Sequence, residues 1–176
     1  MTISTEMRPH TVKQQPRTAQ TWGVSRSGLA LTAARLSDVF TVNGPVVLLS
    51  AFMEITTAAD AETCNMSWVF DSDAGGDRVI GSAVSITSAA LGDFIWAELD
   101  GTALVKATTS TGLIHGGYYR STSSGYGTIL TSGDIDIIFA GPNALNTGVG
   151  TLHMTYEPLV VGAWMEADKD VAVTAV

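Results

Sequence analysis

The sequence predicts an all-β sandwich or barrel, and three observations indicate this fold class. Roughly nine or ten short runs of alternating apolar residues are separated by Gly, Asn and Asp, at the spacing typical of such folds. No helical pattern lies between these runs, which argues against a parallel α/β sheet. Hydrophobic residues make up 45% of the 176 residues and charged residues only 15%, so Ser, Thr, Gly or another subunit must cover much of the surface.

An extended basic arm is predicted over residues 1–35. Residues 1–22 are polar, contain Pro9 and Pro16 and lack an apolar period, so an extended backbone is favoured over a helix. Residues 1–35 carry five bases and one acid, a net charge of +4, whereas the remaining residues carry four bases and sixteen acids, a net charge of −12. The arm and the body are therefore expected to face different surroundings.

The stretch "SRSGLALTAARLSD" within this arm has two interpretations. Ser27 could cap a short helix that carries Leu29, Ala33 and Leu36. Alternatively, the alternation of Leu29 and Leu31 could mark an extended segment that leads into the sandwich. The pattern leaves both interpretations open.

The predicted sandwich occupies residues 36–165, and its first strand, "SDVFTV", leads into the hairpin signal Asn43-Gly44. The long run "VVLLSAFMEIT" is predicted to be a strand that is buried on one side. Its predicted buried face consists of Val47, Leu49, Ala51, Met53 and Ile55.

Further predicted strands follow along the chain. "CNMSWVF" and "RVIGSAVSIT" are each expected to turn every second residue inward. These residues are Met66, Trp68 and Phe70 in the first run, and Ile80, Val84 and Ile86 in the second. "DFIWAEL" and "TALVKAT" flank a second hairpin signal, Asp100-Gly101. "LIHGGYYRS", "YGTIL", "DIDIIF" and "GTLHMTYEPL" complete the set, and residues 166–176 are predicted to form a C-terminal tail.

The loop "FDSDAGGD" raises the question of a metal site, because Asp71, Asp73 and Asp77 lie within it. A calcium loop of the EF-hand type needs oxygen ligands at positions 1, 3 and 5, Gly at position 6 and a closing Glu at position 12. With Asp71 at position 1, position 5 is Gly75 and position 12 is Ser82. Two ligand positions are therefore unfilled, and we predict a turn between two strands, with a calcium loop as the alternative.

Other residues with reactive side chains are predicted to have structural roles. The single Cys64 excludes an internal disulfide, and its sequence neighbours offer no base. His153 alternates with apolar residues in "TLHMTYE" and is predicted to face outward. Asp134 and Asp136 share one strand face, for which a solvated sheet surface is expected. No catalytic motif appears, so we predict a protein without enzymatic activity and without a cofactor.

Contacts with other chains are predicted for the arm and for two tryptophans. The bases of the arm are sparse and do not alternate with aromatics, which argues against nucleic acid and favours an acidic protein surface. Trp22 and Trp164 flank the sandwich, and Trp is enriched in interfaces. The predicted partner-binding residues are Arg8, Lys13, Arg17, Trp22, Arg26 and Trp164.

No run of the sequence reaches the roughly 18 apolar residues that a membrane span needs. The N-terminal residues also lack the apolar region of a secretory signal. The chain is therefore expected to be made in a cytoplasm, without a membrane partner.

Residues 133–163, "GDIDIIFAGPNALNTGVGTLHMTYEPLVVGA", resemble the C-terminal part of tailed-bacteriophage virion proteins. In these proteins a strand "G-x-I-x-I", a short loop and a "TGxL/I" strand lead to "Y-x-P-L/V" and "GA". "FDSDAGGDRVIGSAVSIT" is similar to the middle of such chains. The resemblance implies a capsid decoration (cement) protein with a jelly-roll-like antiparallel β-sandwich. It also implies a homo-oligomer, with a trimer favoured, that binds the major capsid protein on the capsid surface.

Two other hypotheses remain open. A tail or head-fibre protein could bind a host glycan through the aromatics of "GGYYRSTSSGYG". An enzyme acting on a polysaccharide could use Asp134 or Asp136, because paired carboxylates catalyse glycoside hydrolysis. The decoration protein is favoured because it accounts for the sandwich pattern, the low charge density and the basic arm together.

Overall fold

The structure, a computed structural model, describes residues 21–99, 103–107, 127–141, 145–168 and 172–174. Within these ranges the chain forms twelve β-strands and no helix, and therefore no helix that could cross a membrane. The strands are β1 (Trp22–Ala30), β2 (Arg35–Asn43), β3 (Val46–Thr57), β4 (Asn65–Ser72), β5 (Asp77–Ser85), β6 (Phe94–Trp96), β7 (Val105–Ala107), β8 (Thr128–Leu130), β9 (Gly133–Ala140), β10 (Val149–Pro158), β11 (Trp164–Ala167) and β12 (Ala172–Thr174).

The strands form two antiparallel sheets with the arrangement of a jelly roll. Sheet A has the order β1-β10-β3-β6-β7, with β8 also paired to β3. Sheet B has the order β11-β2-β9-β4-β5, with β12 also paired to β2. Four strands of each sheet, β1-β10-β3-β6 and β2-β9-β4-β5, pack as the two layers of a jelly roll. The predicted all-β, jelly-roll-like antiparallel sandwich is confirmed.

A single hydrophobic core fills the space between the two sheets. It includes the two inward sets predicted for β4 and β5, which are confirmed as buried or packed against the core. The largest fully buried side chains come from both sheets and include Phe40, Leu48, Met53, Met66, Trp68, Ile95, Ile135 and Ile137. Full burial of one such side chain contributes about 1.5–3 kcal/mol, so this core supplies most of the driving force for folding.

The buried face of β3 differs from the prediction in its first half. Leu48 pairs with Tyr156 and Ser50 pairs with Thr155, so Leu49 is an extra residue, a β-bulge. The bulge shifts the alternation by one residue. The prediction that Val47 and Leu49 are buried was therefore wrong, because both are only half-buried. The buried residues of β3 are Val46, Leu48, Ala51, Met53 and Ile55.

The sandwich extends beyond the boundaries predicted for it at both ends. β1 pairs with β10, so Trp22–Ala30 belongs to sheet A, and the extended interpretation of the stretch around Ser27 is confirmed over the helix. β11 and β12 pair with β2, so part of the segment 166–176 belongs to sheet B. Residues 1–20 lie outside the described residues, and their extended conformation stays a prediction.

Candidate functional site

Exposed apolar side chains collect at one end of the sandwich. Val161 is 100% exposed, Ile129 is 64% exposed and Trp22 is 47% exposed, and both Leu159 and Val160 are exposed as well. We call these five residues the apolar end. Exposed apolar side chains gathered at one end of a folded protein make this end a candidate site of interaction with another molecule.

The strand directions explain why these residues meet. Trp22 opens β1 opposite Tyr156, and β10 ends at Pro158, so the start of β1 and the β10–β11 loop emerge together. Ile129 of β8 pairs with Val47, the second residue of β3, which begins at this same end. Residues that are distant in sequence are therefore gathered by the topology of sheet A.

Backbone hydrogen bonds hold the β10–β11 loop in a tight turn. The N–H of Ala163 donates to the carbonyl of Val160 at 3.2 Å, and the N–H of Leu159 donates to the carbonyl of Pro45 at 3.0 Å. Gly162, the third residue of the turn, has φ +89°, a left-handed value that favours glycine. The turn fixes the backbone of the loop, while the apolar side chains at its tip remain in solvent.

The β4–β5 loop lies at the same end of the sandwich and carries negative charge. Asp71 and Asp77 are register partners, and the N–H of Gly75 closes the turn by donating to the carbonyl of Ser72 at 2.8 Å. The N–H of Asp73 donates to the carbonyl of Ser132 at 3.2 Å. The loop thus connects two strands as predicted. In the described part of the chain, no group of three or more His, Cys, Asp and Glu side chains is placed to hold a metal ion.

Two carboxylates of this loop approach a basic side chain, Arg35. A terminal guanidinium nitrogen of Arg35 lies 3.8 Å from Asp71 Oδ2, and the other lies 3.9 Å from Asp77 Oδ2. The Nε of Arg35 donates to Asp136 Oδ2 at 2.9 Å, and its Nη2 donates to the same oxygen. One guanidinium therefore links β2 with β9, β4 and β5, the four strands of one jelly-roll layer.

The expectation of a solvated surface at Asp136 was wrong. Asp136 is only 1% exposed, because Arg35 lies over it, and its second oxygen, Oδ1, accepts the N–H of Asp38 at 2.8 Å. Asp38 adopts a left-handed φ of 58° where the β2–β9 pairing is irregular. Strand alternation indicated the face on which Asp136 lies but not the long side chain that covers it.

Asp134, two residues away on the same face, is half-buried and accepts the hydroxyl of Thr41 at 2.8 Å. The hydrogen bond to Asp136 raises the pKa of Arg35, so its guanidinium stays charged. Burial, followed by the nearby negative charge of Asp134, raises the pKa of Asp38. Arg35 and Asp136 therefore form an ion pair in which both carboxylate oxygens accept hydrogen bonds, and Asp134 remains half-buried.

The predicted partner-binding residues lie in different parts of the chain and the fold. Trp22 belongs to the apolar end, and Trp164 opens β11 at the same end, half-buried and opposite Asn43. Arg26 lies further along β1, half-buried and opposite Leu152. Arg8, Lys13 and Arg17 lie outside the described residues.

The outer face of sheet A carries aromatic rings. His153 faces outward as predicted and stacks on Phe52, with ring centroids 4.7 Å apart and planes 14° apart. Phe52 also lies 6.2 Å from Phe94. Residues 116–126, which motivate the glycan hypothesis, lie outside the described residues.

Cys64 is buried, at 2% exposure. Burial raises the pKa of its thiol, which lowers the thiolate fraction on which reactivity depends. The structural role predicted for this residue agrees with its position.

The sequence prediction missed most of the apolar end and found only Trp22. The signal was present in "PLVVGA", where three apolar residues stand between a proline and a glycine. Such a run in a turn breaks the usual polar pattern of loops and indicates function. It was missed because the run follows directly on the β10 pattern and looks like the end of a strand.

No protein-family model matches the chain, and no curated protein matches its sequence. Among solved structures, the chain is similar to a chain in the structure of infectious bursal disease virus, Gx strain. The sequence identity is 10% and the TM-score is 0.35, and the match covers 84% of this chain and 38% of the viral chain. This chain thus spans less than half the length of the viral chain. At this level of similarity, function has to be argued from the residues of the chain itself.

Proposed function

We propose that this chain is a structural protein of a virion and acts as a head decoration (cement) protein on the capsid surface. In this role it binds the lattice of the major capsid protein and stabilises it. The observation that carries the proposal is the apolar end, where Val161 is fully exposed on a hydrogen-bonded turn. The resemblance of residues 133–163 to phage virion proteins indicates the kind of assembly.

The physical basis of cementing is the burial of apolar surface at the contact. Removal of one Val or Leu side chain from water contributes about 1.5–3 kcal/mol. A protein that binds the assembled lattice, and not its dissociated subunits, shifts the equilibrium toward the assembled state by mass action. An exposed apolar loop on a rigid sandwich suits this role because little ordering entropy is lost on binding.

The role we propose is not enzymatic. Both oxygens of Asp136 are engaged, one by Arg35 and the other by the N–H of Asp38. A general acid or base must reach the proton that it transfers, and this carboxylate is covered. These contacts disfavour Asp136 as a catalytic carboxylate in the hypothesis of a polysaccharide-acting enzyme that uses Asp134 or Asp136. We further propose that the protein acts as a homo-oligomer, with a trimer favoured.

The test is attachment of purified protein to heads assembled without it, measured by co-sedimentation. Val161→Asp should weaken attachment at least about tenfold, because the contact loses apolar burial and gains a charge to desolvate. Leu91→Asp is the matched control, because Leu91 is 65% exposed but lies in the β5–β6 loop at the opposite end. Equal attachment of the two variants would contradict the proposed role of the apolar end.

A further inference from the structure

Acidic side chains lie at the same end of the sandwich as the apolar end. The β4–β5 hairpin contributes three of them, and strands β10 and β11 contribute two more. In the order of the sequence they are Asp71, Asp73, Asp77, Glu157 and Glu166. A partner that covers the apolar end therefore needs apolar residues at its centre and basic residues around them.

The N-terminal segment of the chain has this chemistry and joins the sandwich at this end. Residues 1–20 precede Trp22, the first residue of β1. They contain three bases, Arg8, Lys13 and Arg17, against one acid, Glu6. Their apolar members are Met1, Ile3, Met7 and Val12.

The segment is long enough to reach another copy of the chain. An extended backbone covers at most about 3.3–3.6 Å per residue, so 20 residues span up to about 70 Å. A domain of roughly 150 residues has a radius of gyration of only about 15 Å. Pro9 and Pro16 favour an extended backbone for the segment.

We propose that residues 1–20 of one copy bind across the apolar end of a second copy. The bases of the segment lie against the acidic side chains, and its apolar residues cover part of the apolar end. A lipid surface fits less well, because the acidic flank repels anionic headgroups. This inference rests on the proposed function, since both take the apolar end as a protein-binding surface, of which the segment covers only part.

Cross-linking between two differently tagged, co-expressed copies tests the assignment. One copy carries Thr11→Cys in the segment, and the other carries Val161→Cys at the apolar end. The native Cys64 is buried and does not compete for a short bismaleimide. The pair should give a cross-linked heterodimer, whereas Thr11→Cys paired with Leu91→Cys at the opposite end should give at least about tenfold less.

Charge reversal adds a second measurement. Replacing Arg8, Lys13 and Arg17 together by Glu should reduce the yield of cross-linked product several-fold, and added salt should act in the same direction on the unmodified segment. Equal yields at Val161→Cys and Leu91→Cys would overturn the assignment. Cross-linking only within one chain, when Thr11→Cys and Val161→Cys are combined in it, would also overturn the assignment.

The experiment needs no virion partner, so its failure is distinguishable from failure of the proposed function. If no cross-link forms while Val161→Asp still blocks attachment to heads, the assignment of residues 1–20 to the apolar end is wrong, and the proposed head contact stands. If the cross-link forms and Val161→Asp attaches to heads normally, the second copy is the partner of this surface and the proposed head contact is wrong.

Discussion

The two ends of the sandwich are built differently, although the same strands run between them. At the end opposite the apolar end, which we call the closed end, carboxylates accept hydrogen bonds from the loops. Asp60 accepts the N–H groups of Glu62 at 3.1 Å and Asn146 at 2.6 Å, and Asp93 accepts the N–H of Ala90 at 2.9 Å. At the apolar end, hydrogen bonds fix the backbone, but the largest side chains remain in solvent.

This difference separates residues that stabilise the fold from residues that are available for binding. Asp93 is 2% exposed, so its contacts belong to the interior. Val161 has no burial to lose in the free protein, so its apolar surface gains free energy only when a partner covers it. Stability is therefore expected to depend on the end opposite the apolar end, and binding on the apolar end.

The largest expected effect on stability lies at the ion pair of sheet B. Arg35→Ala should lower the free energy of unfolding by about 3 kcal/mol, because Asp136 would be left as a buried, uncompensated charge. This value is at the low end for a buried pair, since a third of the Arg35 side chain is exposed. Denaturant unfolding measures it. The double variant Arg35→Ala/Asp136→Ala should recover part of the loss, and no recovery would contradict the pairing.

A smaller loss is expected at the closed end. Asp93→Ala should lower the free energy of unfolding by about 1–3 kcal/mol, because the N–H of Ala90 loses its acceptor. Asp73→Ala at the other end is the matched control and should change stability by less than about 0.5 kcal/mol, since Asp73 is exposed. Equal losses of unfolding free energy for the two variants would contradict the proposed difference between the two ends.

The closed end should also weaken at low pH. The N–H of Asn146, followed by that of Glu62, holds the pKa of Asp60 below its ordinary value of 3.8. A depressed pKa in the folded state means that Asp60 stabilises the fold above 3.8 and loses this contribution as the pH falls through its folded-state pKa. Thermal melting from pH 6 to pH 2 should therefore show a smaller acid loss in Asp60→Asn than in the unmodified protein. If the melting temperatures of the two proteins fell equally with pH, the proposed role of Asp60 would be wrong.

The smallest expected effect on stability is at the tip of the apolar end. Val161→Asp and Leu91→Asp should each change the free energy of unfolding by less than about 0.5 kcal/mol, because both side chains are exposed. Chemical denaturation checks this. A large loss for Val161→Asp alone would mean that the residue supports the fold, and weaker attachment to heads could then no longer be assigned to the contact.

Much of the fold could be predicted from local pattern, because strand alternation is a local property. Trp68 and its inward neighbours on β4 were identified in this way. The half-buried position of Leu49 was not identified, because the bulge depends on how β3 pairs with β10. The sequence of β3 alone does not determine that pairing. Asp136 was misjudged for a related reason: its cover is Arg35, which is 101 residues away in sequence.

The candidate site depends even more on topology. Trp22, Ile129 and Val161 come from three distant parts of the chain, and only the strand order of sheet A brings them to one end. The charge asymmetry between the first 35 residues and the rest was visible in the sequence. The end at which the acidic side chains lie was not, because it depends on the strand order and register that bring the β4–β5 loop and the β10–β11 loop to the same end of the sandwich.

The most direct test of the central claim is an electron cryomicroscopy reconstruction of particles that carry this protein. We predict that the β10–β11 loop lies at a protein contact, with Val161 covered, and that Leu91 at the opposite end faces solvent. A reconstruction in which Val161 faces solvent and the closed end forms the contact would contradict the claim that the apolar end is the binding surface.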